Sequence, residues 1–306
     1  MFATIGVVST GDRGHGVGRA LKQGGRRAIT ALEGRSARSR KLAEAGGIED
    51  VGSLGKLLAE ADLVLSIMPP AEALGFARQA AQAMRGQARR PHFADMNAVS
   101  PATAQEIGKV ITGAGAVFSD GGIVGASPGG GKGTGGQPTG LPTRFYVSGP
   151  QAQALTALDG NGILVKPMGP EIGRASGMKM VYSAMNKGAL GLYATTLLVA
   201  ERLGLTEALM AELGSSQKQV HDRVRGSIGW LATDAQRWIG EMEEIAATFA
   251  AAGLSPKYFE GAEDIYRLLA ATPLAAEKRE TADRSRSLEA SLKIFAASLD
   301  GRKAAE

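Results

Sequence analysis

The chain has 306 residues, 44% of them hydrophobic and 21% charged, the balance of a soluble globule long enough for two domains. That composition excludes wholesale disorder, and no apolar run reaches the roughly 20 residues that span a bilayer. There are no cysteines, and the three histidines (His15, His92, His221) have no metal-ligand spacing, so disulfides, thiolate chemistry and a metal site are not expected. The first residues also lack the basic start and long apolar stretch of a secretory signal, and a cytoplasmic location is the expectation.

Net charge is +5, but it is concentrated. The first 41 residues hold nine basic residues (Arg13, Arg19, Lys22, Arg26, Arg27, Arg35, Arg38, Arg40, Lys41) against the acidic Asp12 and Glu33. Aromatics are only 5%, too few for the stacking surfaces of most nucleic-acid binders, so no nucleic-acid or membrane partner is expected. The local surplus marks a place for a small polyanion.

The amino-terminal half alternates β-like runs with Ala- and Leu-rich helical stretches, which predicts an α/β fold with a mostly parallel, doubly wound sheet. Residues 2–8 read as the first strand, 16–23 as a helix and 28–32 as the second strand. Residues 39–45 are helical, 48–51 a short strand and 53–60 another helix. The apolar strand 62–68 is stopped by Pro69-Pro70 and followed by a helix over 71–84 and a strand over 92–96. Ser100-Pro101 has the pattern of a helix start and opens a helix over 101–114, leading to a strand over 116–120. A further strand is predicted over 143–147. Between these last two lies the glycine-rich stretch 127–140, a surface loop or a mobile flap over a pocket. From Glu171 onward the pattern is helical, which divides the chain into an α/β domain over 1–168 and an all-α domain over 169–306. Its last segment reads as a helix with a charged tail.

The first strand runs directly into Ser9-Thr10-Gly11-Asp12-Arg13-Gly14, with Gly18 four residues further on. This is a dinucleotide-binding G-x-G-x-x-G pattern with Ser9 in the first glycine position, placed on the strand–turn–helix unit it needs. Gly11 and Gly14 would let backbone approach a pyrophosphate at a helix N-terminus, and Gly18 would let the helix pack closely on the sheet. At the end of the second strand, Glu33 could hold a ribose 2′-hydroxyl. Arg35, Ser36 and Arg38 in the following turn supply two charged donors and a hydroxyl suited to a 2′-phosphate. The cofactor expected is NADP rather than NAD; solvated surface arginines are the plain alternative.

Residues 172–198 read as one long helix with only Arg174, Lys179 and Lys187 charged, and a helix apolar on nearly every side is buried. A buried lysine loses hydration, which favours its neutral form and suits it to exchange a proton with a substrate hydroxyl. Ser183, one turn later, shares its face and could hold a substrate oxygen. Arg237, Glu241 and Glu244 share a face further on, read as a solvated or dimer-interface stripe of ion pairs rather than a substrate contact. Asn97 follows the carboxyl end of a strand, where sheets of this class bind ligands, and could contact a nicotinamide ribose or substrate. The backbone of Gly121-Gly122 and Val124-Gly125 could cradle an anionic or carbonyl oxygen.

Four blocks in order resemble the β-hydroxyacid dehydrogenase superfamily, which includes 3-hydroxyisobutyrate and 6-phosphogluconate dehydrogenases. They are the glycine turn with Gly34-Arg35-Ser36, then Leu65-Ser66-Ile67-Met68-Pro69, then Asp95-Met96-Asn97-Ala98-Val99-Ser100-Pro101, and Gly173-Arg174-Ala175-Ser176-Gly177-Met178-Lys179-Met180-Val181. The resemblance runs over residues 3–270. It implies a Rossmann domain, a long interdomain helix and a helical domain that forms a homodimer, with Met68 and Pro69 bordering the nicotinamide and Lys179 as the catalytic acid or base. Glu241-Met242-Glu243-Glu244-Ile245-Ala246 most resembles an uncharacterised bacterial branch.

The chain departs from the family at the substrate. Val124 stands where the serine of the substrate loop is usual, Ser183 where an asparagine is, and Asn186 where 6-phosphogluconate dehydrogenases carry a second acid. The typical Lys-Asp pair is Gly240-Glu241. The implied activity is NADP(H)-dependent hydride transfer to or from a small hydroxy acid or its aldehyde or keto counterpart. An imine reductase on the same scaffold and a non-catalytic NADP(H) sensor are the alternatives. Imine reductases usually put Asp or Tyr at the lysine position.

Overall fold

A computed structural model describes residues 2–128, 140–278, 282–283 and 285–303. Most of the expected flap (129–139) lies outside the described residues, as does the end of the charged tail. The described chain falls into two compact units, one up to Val181 and one from Tyr182 onward.

The first unit is built on one eight-stranded sheet of order β3-β2-β1-β4-β5-β6-β7-β8. Its strands are β1 (Thr4–Val8), β2 (Arg27–Thr30), β3 (Glu49–Asp50), β4 (Leu63–Ser66), β5 (His92–Asp95), β6 (Phe118–Val124), β7 (Thr143–Ser148) and β8 (Ile163–Pro167). All neighbours are parallel except β6 and β7. The helices between them are α1 (Gly14–Gln23), α2 (Ala37–Gly46), α3 (Leu54–Glu60), α4 (Pro70–Met84) and α5 (Pro101–Gly113). This is the doubly wound architecture predicted from the alternating pattern.

Period-two alternation splits the core between the faces of the sheet. Leu63 and Leu65 of β4 join Val17 and Leu21 of α1 on one face, while Val64 joins Phe76 of α4 and Ile107 of α5 on the other. Each fully buried leucine or isoleucine contributes roughly 2 kcal/mol. Three helices begin with serine caps: Ser36, Ser53 and Ser100 accept the backbone N–H groups of Ser39, Lys56 and Thr103. Pro101 occupies the first turn of α5, as the Ser-Pro signal predicts.

Three expectations are corrected. β6 does not end at Asp120 but continues to Val124, because β7 pairs antiparallel with Gly121–Val124 after β5 has ended. The Ile-Leu-Val-Lys-Pro run of β8, hidden among glycines and a closing proline, is an additional strand. The long helix is not continuous: α6 (Arg174–Ser183) passes into a π-helical turn (Ala184–Gly188) before α7 (Ala189–Arg202).

The second unit is helical from there on, with α8 (Thr206–Ser216), α9 (Lys218–Ser227), α10 (Ala232–Ala251), α11 (Lys257–Ala270) and α12 (Leu288–Lys303). α10 and α11 pack through the edge-on pair Trp238–Tyr266, 5.4 Å between ring centres, and through Phe249–Phe259 at 4.5 Å. Side chains cap three successive carbonyls of the π turn. Arg223 donates to Asn186 at 2.9 Å, Tyr266 to Lys187 at 2.6 Å and Tyr258 to Gly188 at 3.4 Å. Those bonds offset the poorer backbone geometry of the wide turn. Among the described residues no helix is long and apolar enough to cross a membrane.

Candidate active site

The glycine turn is short, and each glycine in it has its own reason. A Cβ at Gly14 would overlap the Ser9 carbonyl oxygen, so α1 can begin this close to β1 only with a glycine there. A Cβ at Gly11 would meet nothing within 4 Å, which leaves open space above the turn. At Gly18 it would overlap Ile48, the close packing the pattern predicts. α1 starts at Gly14, so the N–H groups of its first turn lie beside the glycine turn, that of His15 donating to the Gly11 carbonyl at 3.1 Å.

The other residues of the turn are engaged within the protein. The Thr10 hydroxyl is buried and donates to the Ser39 carbonyl at 2.9 Å, and the Arg13 guanidinium donates to the Gly125 carbonyl at 2.9 Å. Asp12 forms an ion pair with Arg38. Ser36 is the cap of α2, and Gly34 turns the chain with φ +69°. A cavity of about 480 Å³ opens beside this turn, walled by Val8, Glu33, Arg35, Met68, Glu72 and Phe76 among others. Arg35 and Met68, predicted from separate motifs, thus share one cavity. Pro69 caps α4 next to it.

At the carboxyl ends of β4 and β5, beside the middle of β6, lies a buried polar network. Asn97 donates through Nδ2 to Asp95 Oδ1 at 2.6 Å and to Ser66 Oγ at 2.9 Å, while its Oδ1 accepts the Met68 N–H at 2.6 Å. Both amide protons are therefore spent inside the protein, leaving one lone pair of Oδ1. Asp95 lies beside Asp120 in strand register, and both are fully buried. Burial first, and then the charge of Asp120, push the Asp95 carboxyl up to about 7.

Asp120 accepts four hydrogen bonds, one from β7 and three from the start of α6. Ser148 Oγ at 2.9 Å, the Gly173 N–H at 2.9 Å and the Ser176 N–H at 3.1 Å reach Oδ2, and the Ser176 hydroxyl reaches Oδ1. Lys179, one turn further along α6, is buried at 8% exposure. A Cβ at Gly122 would stand 2.6 Å from the Lys179 Cβ, so the glycine is what lets strand and helix meet. Gly121 packs as tightly on Met96 and Asp95. Gly121, Gly122 and Val124 lie within strand β6 rather than in a loop, with Gly125 just beyond at φ +105°.

In the second unit, Ser183 is buried and donates to Glu241 Oε1 at 2.7 Å. Glu241 also pairs with Lys187, whose ammonium lies 4.9 Å from the centre of the Trp238 ring. The expected solvated or interfacial stripe is corrected here: Glu241 is 4% exposed and belongs to a buried polar cluster. Arg237 pairs instead with Asp234 at 2.7 Å. Asn186 accepts from Arg223 at 2.8 Å through its side chain. Among the described residues no group of three or more His, Asp or Glu is arranged to hold a metal ion.

Sequence reasoning singled out neither Asp95 nor Asp120. The signal was present: each is a carboxylate closing an apolar run, a costly placement unless donors surround it. Nothing local marks Lys187 and Glu241 as partners, because 54 residues separate them.

Residues 200–269 match a family model described as a domain of unknown function, DUF1932. An uncharacterised 28.5 kDa protein of Methanothermus fervidus is 25% identical over 241 residues, 78% of this chain and 88% of its own. A solved conserved protein of unknown function, described as structurally similar to 3-hydroxyacid dehydrogenases, is 26% identical; the match covers 87% of this chain and 98% of that one, with a TM-score of 0.61. Mycobacterium tuberculosis 3-hydroxyisobutyrate dehydrogenase, solved with L-serine, is 18% identical over 99% of this chain and 100% of its own, with a TM-score of 0.65. The chain has the fold of the β-hydroxyacid dehydrogenase superfamily, as the four motif blocks imply.

Proposed function

We propose that the chain is an NADP(H)-dependent oxidoreductase that moves hydride between nicotinamide and a small hydroxy acid or its aldehyde or keto counterpart, with Lys179 as general acid and base. The coarser reading, a nicotinamide-dependent oxidoreductase, is supported by the dehydrogenases among its structural neighbours. The observation that carries the finer one is the buried Lys179 drawn against Gly122 of β6, beyond the end of β5.

The residues present fit a dinucleotide. The backbone around Gly11 and Gly14 and the start of α1 would hold the pyrophosphate, and the cavity beside Arg35 would take the adenosine half. Arg35 and the serine-capped start of α2 would face a 2′-phosphate, with Arg38 added when it leaves Asp12. The bound nicotinamide supplies or accepts the hydride. Lys179 takes the substrate hydroxyl proton in oxidation and returns it in reduction, and its low exposure keeps bulk water from competing for that proton. Within the first unit, Gly121, Gly122, Val124 and Gly125 are the proposed substrate contacts; in the second, the Ser183 hydroxyl is already donated to Glu241.

An apolar stripe of Met185, Leu192, Val199 and Leu203, each 48–78% exposed, supports the homodimer. The cytoplasmic assignment draws on the cysteine-free composition.

The test is NADPH titration followed by a screen of small hydroxy and carbonyl acids. Lys179→Ala is expected to lower kcat by 10²-fold or more. Arg35→Ala is expected to weaken NADPH at least tenfold while changing NADH little. Tight NADPH binding without turnover on any substrate, or full turnover in the lysine variant, would overturn the proposal.

A further inference from the structure

Helix α6 follows Ile172 and Gly173, neither of which has a side chain able to cap it. Its first N–H groups are nevertheless satisfied. Asp120 takes those of Gly173 and Ser176, and Ser148 Oγ takes that of Ala175 at 3.1 Å while donating to the same carboxylate. The cap of this helix is thus supplied from β6, more than 50 residues earlier in the chain.

The contact has a register. Asp120 and Gly122 are two apart on a strand and face the same side. Ser176 and Lys179 are three apart on a helix and share a face. Asp120 holds Ser176 through both its N–H and its hydroxyl, and Gly122 admits the Lys179 Cβ. A carboxylate accepting four donors fixes both the height and the rotation of α6, and hence the direction from which the Lys179 side chain leaves the helix. Neighbouring Asp95, largely uncharged below about 7, spares Asp120 a second negative charge at close range.

We propose that Asp120 is the positioning residue for Lys179, acting through the cap of α6 rather than by touching substrate. Its importance for catalysis rests on the proposed role of Lys179; the positioning itself does not.

The experiment reads the lysine without needing a substrate. The full chain is pulsed with trace acetic anhydride across pH 6–11, and acetylation of each lysine is quantified by mass spectrometry, with exposed Lys56 and Lys109 as references. In Asp120→Asn the amide nitrogen faces donors it cannot accept from. The labelling rate of Lys179 relative to the references is expected to change at least fivefold, with its titration midpoint displaced. Ser176→Ala, which keeps the carboxylate and loses one hydroxyl, is expected to fold and to shift Lys179 in the same direction by less. A Lys179 profile identical to wild type in Ser176→Ala, and in Asp120→Asn if it folds, would overturn the positioning role even if the melting temperature fell. If Lys179→Ala retained turnover while these variants still moved Lys179, the functional proposal would fall and this one would stand.

Discussion

His92 and Asp95 bound the same four-residue strand, both are buried, and burial drives both toward the uncharged form. At the amino end, His92 meets one hydroxyl, Ser119 Oγ at 2.8 Å, and the Phe2 ring, set at 75° to it with 5.7 Å between ring centres. Burial brings its imidazole down to about 4. At the carboxyl end, Asp95 lies in a network of a second carboxylate, an amide and serine hydroxyls that continues through β6 into the lysine helix. A buried titratable side chain is therefore no pointer to function by itself. The end of the sheet it occupies, and whether its partners lead to another element, separate a filled core position from part of a site.

The two ends should respond to pH with opposite sign. Asp95 is raised from 3.8 to about 7, so the stability it contributes is present below 3.8 and lost as pH rises through about 7. His92 is lowered from 6.5 to about 4, so its contribution is present above 6.5 and lost as pH falls through about 4. Between about 4 and 6.5 the two slopes oppose each other in the wild type.

The largest expected effect comes from removing the carboxyl-end member. Asp95→Asn should raise stability at pH 8 relative to pH 4.5 by roughly 2–4 kcal/mol compared with wild type, read from urea midpoints at both values. An unchanged pH profile would mean that Asp95 ionises freely in the folded state and that the contrast between the ends is false. Next, His92→Phe should do the reverse, removing the acid-side loss and favouring pH 4.5 over pH 8 by roughly 2–3 kcal/mol relative to wild type. The smallest effect belongs to Ser119→Ala. It should cost about 1 kcal/mol at pH 8 and leave acetylation of Lys179 untouched, since its one bond leads nowhere near α6. A change at Lys179 in that variant would join the two ends into one network and erase the distinction.

Much of the first unit was legible because its determinants are local. The Ser-Pro start of α5, the apolar run of β4 and the glycines before α1 are each readable within a few residues. The illegible features have distant determinants. β6 runs past Asp120 only because β7 pairs with it, and Ala-Met-Asn-Lys-Gly carries nothing that marks a wide turn. What holds that turn is Arg223, Tyr258 and Tyr266, 37 to 79 positions later in the chain. Glu241 looked solvated because its neighbours on a helical wheel are charged, whereas its partners Ser183 and Lys187 belong to a different helical segment.

The wide turn at Ala184–Gly188 also changes what sequence spacing means downstream of it. A π turn amounts to one extra residue threaded into a helix, so everything after it is out of phase by about 100° with an uninterrupted α-helical count. A homologue with one residue fewer between Ser183 and Ala189 can run through as plain α-helix and present the same letters of α7 in the same directions. Alignments across this segment should therefore be gapped at the bulge: a deletion that closes the wide turn to an α turn keeps the Leu192–Val199 stripe at its present outlook, whereas a deletion elsewhere in α7 rotates whatever follows it by about 100°.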